Sequence, residues 1–552
     1  MERAQRQSPR FDLKADNARA VAEICVRLDG IPLALELAAA RVGVLSVEQI
    51  LRLLHQRFRL LTSGSRELPR QQTLRALIDW SYELLDDAEK ALFARLAVFA
   101  GGWTLDAASE VCSGDSIAKE DVVYVLIGLV ERSLVVADDD GDRYRMLETV
   151  REYAREKLAA ASDAKALRER HRDFFVSLSV NAEPHLAGPQ QAAWLQRLEN
   201  EHDNLRSALE YCLVSGAGSR TGLRLCAALH WFWIVRGYRA EGLDWCMRAL
   251  AIDPNDAPTQ ERAMALHAAA ILAYHVGDLA AARAYDEGSL AMARSLRDQE
   301  GIARATISMG NLRLRQGDVT AAQALCEEAL VIARTLHDPW LTLQSLNGLG
   351  NVAAAMDRYS VAQSLYEESL QIARQRADRV RIAILLNNLG YLAFQQGEDS
   401  ASRELHEQSL AIRRELDDSG GIAYSLSGLA DVALRQGDHA AAGAFSRDAL
   451  CIRRDLGDKM GIAELLEKQA AVMGAIGNAL QAARVGGAAE RLREEIGSPL
   501  TTEERLRHER HMAAARASLD DAAFDRAWNE GRALTVEQAI EVALGAHSTV
   551  AH

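Results

Sequence analysis

A chain of 552 residues, 49% hydrophobic and 26% charged, has ample apolar content for real cores and spans roughly two to four domains. Its formal charge of −14 weighs against broad electrostatic attraction to nucleic acid. Seven scattered cysteines never form CxxC, which argues against a disulfide framework or a zinc site, and no apolar run reaches the roughly eighteen residues of a membrane span. The first residues, MERAQRQSPR, lack the apolar stretch of a secretory signal, so the expected compartment is the cytoplasm.

In chain order, residues 16–29 (DNARAVAEICVRLD) read as a helix capped by Asp16, and Gly30-Ile31-Pro32 breaks it before LALELAAARV. Ser46 and Gln49 form a capping box opening LSVEQILRLLHQRF. Residues 73–85 and 87–99 are helical in pattern, and TLDAASEVC and EDVVYVLIGLVERS follow Gly101-Gly102. Two alternating runs, LVVAD and RYRML, flank the turn signal Asp139-Asp140-Gly141-Asp142, so three helices precede a hairpin in the order of a winged helix. The helix placed to enter a DNA groove carries Glu120 and Asp121 ahead of its first base, Arg132, and is otherwise apolar. Reading base edges and holding phosphates both need cations or amides on that face, so packing and relay outweigh direct DNA contact.

From Gly237 a small residue returns in steps of forty, at Gly277, Gly317, Gly397, Gly437 and Gly477, with Asp357 the one exception. Five residues later come Gly242, Ala282, Ala322, Ala362, Ser402, Ala442 and Ala482, and leucine recurs thirteen later, from Leu250 to Leu450. Residues 302–316 and 319–335 are each amphipathic, so the unit is helix, turn, helix. Gly317 ends the first helix and Asp318 can cap the second. Arrays of this period are solenoids.

The marking glycine, a small residue seven positions earlier (Gly310, Gly350, Gly390, Ala430, Ala470) and small positions such as Ala322 with Ala329 resemble the tetratricopeptide repeat over residues 222–496. The period is longer than usual and the closing proline survives only as Pro254; the extra residues are expected in the second helix and its loop. GIPLALELAAARV, LPRQQTLRALIDWSYELLDDAEKALFARLAVFAGGWTLDAA and MLETVREYA resemble the helical and winged-helix modules of bacterial signal-transduction ATPases with numerous domains, relatives of NB-ARC proteins. No GxxxxGK[ST] occurs, so nothing offers a phosphate loop, and residues 1–15 read as the tail of a nucleotide-binding domain not present. The resemblance implies that Gly30 and Pro32 are an adenine-side remnant, with ATP or ADP bound only if such a domain lies upstream. Relatives carry Met-His-Asp where this chain has Met146-Leu147-Glu148, and leucine cannot donate to a phosphate.

The inner face of the superhelix is the expected binding surface, and the repeat register places Arg304, Asn311, Arg315, Asn347, Asn351, Asn387, Tyr391, Phe394, Tyr424, Asp431 and Arg435 there. Asparagines forty apart can pair with the backbone of an extended peptide or simply be solvated. Trp231, Trp233 and Trp245 are expected to seal the first repeat against the helices before it. His508 and His511 read as members of a solvated charged helix. Thr501 with Glu504 and Thr535 with Gln538 read as capping boxes, with Gly531 closing the helix between them.

The expected fold is all-α: a residual helical module (1–70), a winged helix with a small β-hairpin (71–160), a helical connector (161–221), a tetratricopeptide-like solenoid of period forty (222–496) and a helical cap (497–552). The expected function is a non-catalytic sensor or scaffold portion of a transcription-regulating signalling protein. Its partner is a protein, peptide or small effector in the repeat groove, with no metal, no membrane and no direct nucleic-acid contact. A DNA-binding regulator and an ATP-dependent switch are the alternatives.

Overall fold

The computed structural model describes residues 70–545 except 115, 139–140, 215–218, 253–257, 499 and 501, and before them residues 4–5, 11–14, 17–28, 32–42 and 45–53. The chain divides into one unit of residues 1–178 with 200–211 and a second of 179–199 with 212–552. The fold is all-α apart from one small sheet.

The first unit contains α1 (Ala18–Arg27), α2 (Pro32–Ala39), α3 (Arg70–Glu83) and α4 (Asp87–Leu96). The cap expected at Asp16 and the break at Gly30-Ile31 lie outside the described residues. Ser46 and Gln49 bond reciprocally, at 2.8 and 3.2 Å, as a capping box should. After α4 come β1 (Trp103–Thr104), α5 (Leu105–Cys112), α6 (Val122–Glu131), β2 (Val136–Ala137), β3 (Arg143–Arg145) and α7 (Glu148–Ala159). The sheet order is β1-β3-β2, antiparallel throughout, so the hairpin gains a third strand from Trp103–Thr104, which the pattern alone assigned to no strand. Asn204 pins the Gly101-Gly102 turn, accepting from the Ala100 N–H and donating to the Gly102 carbonyl, both at 2.7 Å. Phe99 stacks on Trp103 at 5.5 Å beneath it.

Three helices, α8 (Ala164–Ala182), α9 (Gln191–Asn200) and α10 (His202–Val214), carry the chain between the units. Seven helix pairs follow among the described residues: α11 and α12 (Ser219–Arg236, Arg239–Ile252), α13 and α14 (Gln260–Val276, Leu279–Leu296), α15 and α16 (Gln299–Arg315, Val319–Thr335), α17 and α18 (Pro339–Ala355, Tyr359–Gln375), α19 and α20 (Arg379–Gln395, Asp399–Glu415), α21 and α22 (Ser419–Arg435, His439–Asp455), and α23 and α24 (Lys459–Ala475, Ala479–Glu495). Gly317, at φ 84°, supplies the left-handed residue that ends α15, and Asp318 caps α16 by accepting the Ala321 N–H at 3.1 Å. The turn between units follows the same rule. Arg297, His337, Ala377 and Asp417 hold φ of 50–57°, and the next residue, an aspartate, caps the following helix. From α15 to α24 every helix is 17 residues long, so the extra residues of the unit are shared equally between its helices and not lodged in the second helix and its loop.

Small residues decide how closely each pair packs. Ala322, Ala362, Ser402, Ala442 and Ala482 have no exposed surface. Gly350 faces the ring of Tyr366, and Gly390 faces His406 at 3.0 Å from an added Cβ. The rotation accumulated over five pairs brings the array back onto itself. Arg236 at the end of α11 pairs with Asp417 at 2.9 Å, and Gln191 of the connector accepts the Val380 N–H at 3.0 Å.

After α25 (Thr502–Ala517) come α26 (Asp521–Arg532) and α27 (Val536–Leu544). The capping box at Thr535 and Gln538 forms, whereas that at Thr501 falls outside the described residues. Gly531 does not close α26; it lies inside it, buried, where a Cβ would overlap the Arg484 carbonyl of α24. Gly487 faces the Trp528 backbone in the same way, so two glycines allow the cap to seat backbone against backbone. Gly531→Ala should therefore lower stability by about 1–3 kcal/mol, whereas Gly477→Asn, at a left-handed turn with open space around it, should change it by less than about 0.5 kcal/mol; urea unfolding followed by circular dichroism checks both.

Candidate functional site: a cavity enclosed by the repeat array

α11 returns against α21, so the inner face of the array becomes concave on both sides. It surrounds a cavity of about 340 Å³ lined by α11, α13, α15, α17, α19 and α21. Of the residues projected onto the inner face, Arg304, Asn311, Asn351, Asn387 and Tyr424 line this cavity together. Asn387 and Tyr424 also border a second cavity of similar size, with Tyr391, Phe394 and Asp431. Asn347, Arg315 and Arg435 instead hold neighbouring units together. Asn347 accepts from Asn388 at 2.9 Å. Arg315 lies over Tyr274 at 4.6 Å and donates to its carbonyl at 3.3 Å; Arg435 repeats that clamp on Phe394 at 3.6 Å and 2.5 Å. Gly30 is outside the described residues and Pro32 opens α2.

The asparagines form a bonded ladder. Asn351 accepts from Tyr366 Oη at 2.7 Å, and Asn387 meets His406 Nδ1 at 3.0 Å. The tryptophans divide differently from the expectation. Trp233 packs on Gly242 within the first pair and Trp245 carries Arg248 over its face at 4.4 Å, but Trp231 faces the cavity. There Arg381 stacks on it at 4.4 Å, with Trp340 at 5.9 Å. His508 and His511 are not on a solvated face; both line the second cavity, against Glu467 and Arg493.

Beyond Arg304, which the register named, sequence reasoning passed over the cavity's charges. Arg239, Arg304, Arg381 and Arg413 face it against one acid, Asp418. A signal was available in the forty-residue register: the second-helix position held by Ala293, Ala333 and Ala373 becomes Arg413, Arg453 and Arg493. Arg453 is paired with Asp458, and Arg493 with Glu467 at 2.5 Å. Burial lowers the Arg381 pKa to about 10 and pulls Arg239 and Arg413 down as well, leaving all three charged at neutral pH. The histidines go the other way in charge: burial takes His230 to about 4 and His267 and His275 well below the usual value, so they are neutral. No cluster of three His, Cys, Asp or Glu suited to a metal occurs among the described residues. Nor is any helix there long and apolar enough to cross a membrane.

In the first unit, the exposed face of α6 presents Tyr124 and Ile127, 72% and 49% exposed, while Arg132 is tied to Glu89 at 2.6 Å.

Residues 85–159 match the winged helix-turn-helix domain model, and residues 301–375, 341–415 and 381–455 match the tetratricopeptide repeat model in windows stepped by forty. A Mycobacterium tuberculosis protein named as a putative HTH-type transcriptional regulator is 44% identical over 247 residues, covering 44% of this chain and 28% of the relative. An uncharacterized protein of the same species is 45% identical over 179 residues, covering 31% of this chain and 45% of its own. The chain thus spans less than half the length of either relative. Among solved structures, a signal-transduction ATPase with numerous domains bearing a tetratricopeptide repeat sensor, from Pyrococcus horikoshii, aligns at a TM-score of 0.46 and 15% identity, over 91% of this chain and 72% of that one. A Rap protein complexed with competence and sporulation factor aligns at 0.43 and 14%, over 65% and 99%.

The buried histidines set a pH dependence. With folded pKa values of about 4 for His230 and His406, the unfolded chain binds more protons than the folded one between that value and the ordinary 6.5. Stability is therefore intact above pH 6.5 and is lost as pH falls toward 4, by up to roughly 1.4 kcal/mol per pH unit for each such histidine. Asp286, raised by burial to about 8, opposes them, as do Asp378, Glu464 and Glu183, which burial also raises. Melting curves between about pH 7 and 4.5 should show the fall, and His406→Gln should make it shallower.

Proposed function

We propose that this chain is the sensing part of a transcription-regulating protein, in which the repeat array takes an effector into its enclosed cavity and the winged helix relays occupancy. The return of α11 against α21 carries the reading, because it narrows the groove of an open solenoid to a cavity of about 340 Å³. A space of that size, at the low end for ligand sites, suits a small effector better than an extended peptide. Such a protein is non-catalytic in this portion. If a nucleotide domain accompanies it in a longer protein, Gly30 and Pro32 would lie on the adenine side of bound ATP or ADP. The match to HTH-type regulators supports transcriptional control, while the Tyr124 and Ile127 face of α6 lacks the cations and amides that duplex reading needs. Protein surfaces are the better expectation for that module's contacts.

Two measurements test this. RNA sequencing of cells producing the wild-type chain should show a defined set of altered transcripts, and Gln344→Trp, which fills the cavity, should abolish the response; identical profiles from both would overturn the sensor reading. Fluorescence anisotropy with labelled duplex DNA should show no binding beyond a weak component that vanishes on raising salt from about 50 to 200 mM.

A further inference from the structure

We propose that the larger cavity binds a small organic anion carrying a phosphate or more than one carboxylate, gripped by Arg381, Arg413 and Arg239. This rests on the sensor reading and names its effector class. In a chain of net charge −14, four arginines and one aspartate line a single cavity, and of the four only Arg304 is held by a nearby glutamate, Glu300, at 2.5 Å. Two of the arginines are deeply buried and under-partnered. Arg413 and Arg239 are each 3% exposed, and the Nε of each has no hydrogen-bond partner. Arg239 reaches Asp458 only at 3.9 Å. Arg381, its own Nε also unpartnered, rests on the Trp231 face, with Asp378 the acid that acts on its charge.

The room for these groups is built into the backbone. A Cβ on Gly420 would overlap the Arg239 guanidinium, and one on Gly421 would sit 2.5 Å from Arg413 Nη1. Two consecutive glycines thus admit one guanidinium group from the first helix pair and one from the adjacent α20 onto the first turn of α21, whose N-terminal end already favours negative charge. The one acid lining the cavity serves two ends, since Asp418 Oδ1 caps that helix by accepting the Gly421 N–H at 2.8 Å while its Oδ2 lies beside Arg413 at the same glycine, so a single carboxylate faces several guanidinium groups. His267 Nδ1, also unpartnered and neutral, can add an uncharged donor. Paired guanidinium forks match the geometry of carboxylate and phosphate. A metal cation is excluded by the same charge, and a nucleic-acid strand by the size of the space.

The test is thermal unfolding of the full chain with about 5 mM sodium pyrophosphate or sodium citrate, each against sodium chloride of matched ionic strength. At least one should raise the wild-type melting temperature by on the order of 3 °C and quench tryptophan fluorescence saturably; pyrophosphate alone would assign a phosphate effector and citrate alone a polycarboxylate. Arg413→Gln and, independently, Arg381→Gln should weaken the response at least about tenfold, the loss expected for one charge-assisted contact, whereas Arg414→Gln on the exposed side of α20 should keep it. No gain over the salt control from either anion, or equal gains in wild type and both cavity variants, would overturn the assignment. If the transcript response to Gln344→Trp persisted alongside that null result, the sensor reading would stand and only its anionic effector would fall.

Discussion

One local device sets the geometry of the repeat array: a residue in the left-handed region followed by an aspartate that caps the next helix. It occurs at the turns between units, from Arg297-Asp298 through Ala377-Asp378 and Asp417-Asp418 to Gly457-Asp458, and within three of the units, as at Gly317-Asp318. The left-handed residue reverses the chain in three residues and satisfies the last carbonyls of one helix; the aspartate satisfies the first amides of the next. Repetition of one turn gives repetition of one angle, and a constant angle between helices generates a superhelix. Where glycine is replaced, as at Asp357 with φ 57°, the geometry persists because the packing on either side over-determines it.

Closure is the consequence that matters for function. An open solenoid offers a surface, whereas one that meets itself offers an interior. Arg236 with Asp417, Gln191 with Val380, and Arg239 against Gly420 are contacts between segments 180 residues or more apart. They depend on the summed rotation of the intervening pairs. A change in packing anywhere along those pairs is therefore felt at the seam, which makes the seam the natural place for a two-state response.

The period, the helix pairs and the marking turns were legible because each is a local rule repeated often enough to stand above composition. The all-α class and the winged helix followed from element order. The second turn was missed because its left-handed residue is usually not glycine, and its signature is the aspartate one position later, at 298, 338, 378, 418 and 458. Inner-face positions could be projected from the register, so Arg304, Asn311, Asn351, Asn387 and Tyr424 could be named together. Which of them would face an enclosed space could not, because enclosure arises from contacts between the first unit and the fifth and sixth. Arg239 and Trp231 belong to no repeated inner-face pattern, and Gly531 looks like a helix terminus in sequence because its actual neighbour, Arg484, is 47 residues away.

Charge links closure to recognition. Bringing the first helix pair onto α21 places Arg239 at Gly420 next to Arg413 at Gly421, and each buried cation carries a desolvation cost of several kcal/mol. The stacking of Arg381 on Trp231 returns roughly 0.5–2 kcal/mol, which offsets only part of that. Hydrophobic residues of similar volume would pack the same interior at lower cost, and at the register position of Arg413 the earlier units carry only the buried alanines Ala293, Ala333 and Ala373, so the repeat itself does not require an arginine there. The arginines are thus better explained by what they meet than by what they hold together. An anion bound between them would remove repulsion that exists only in the closed array, so its binding energy would favour closure over any opened state, which is the differential affinity a sensor requires.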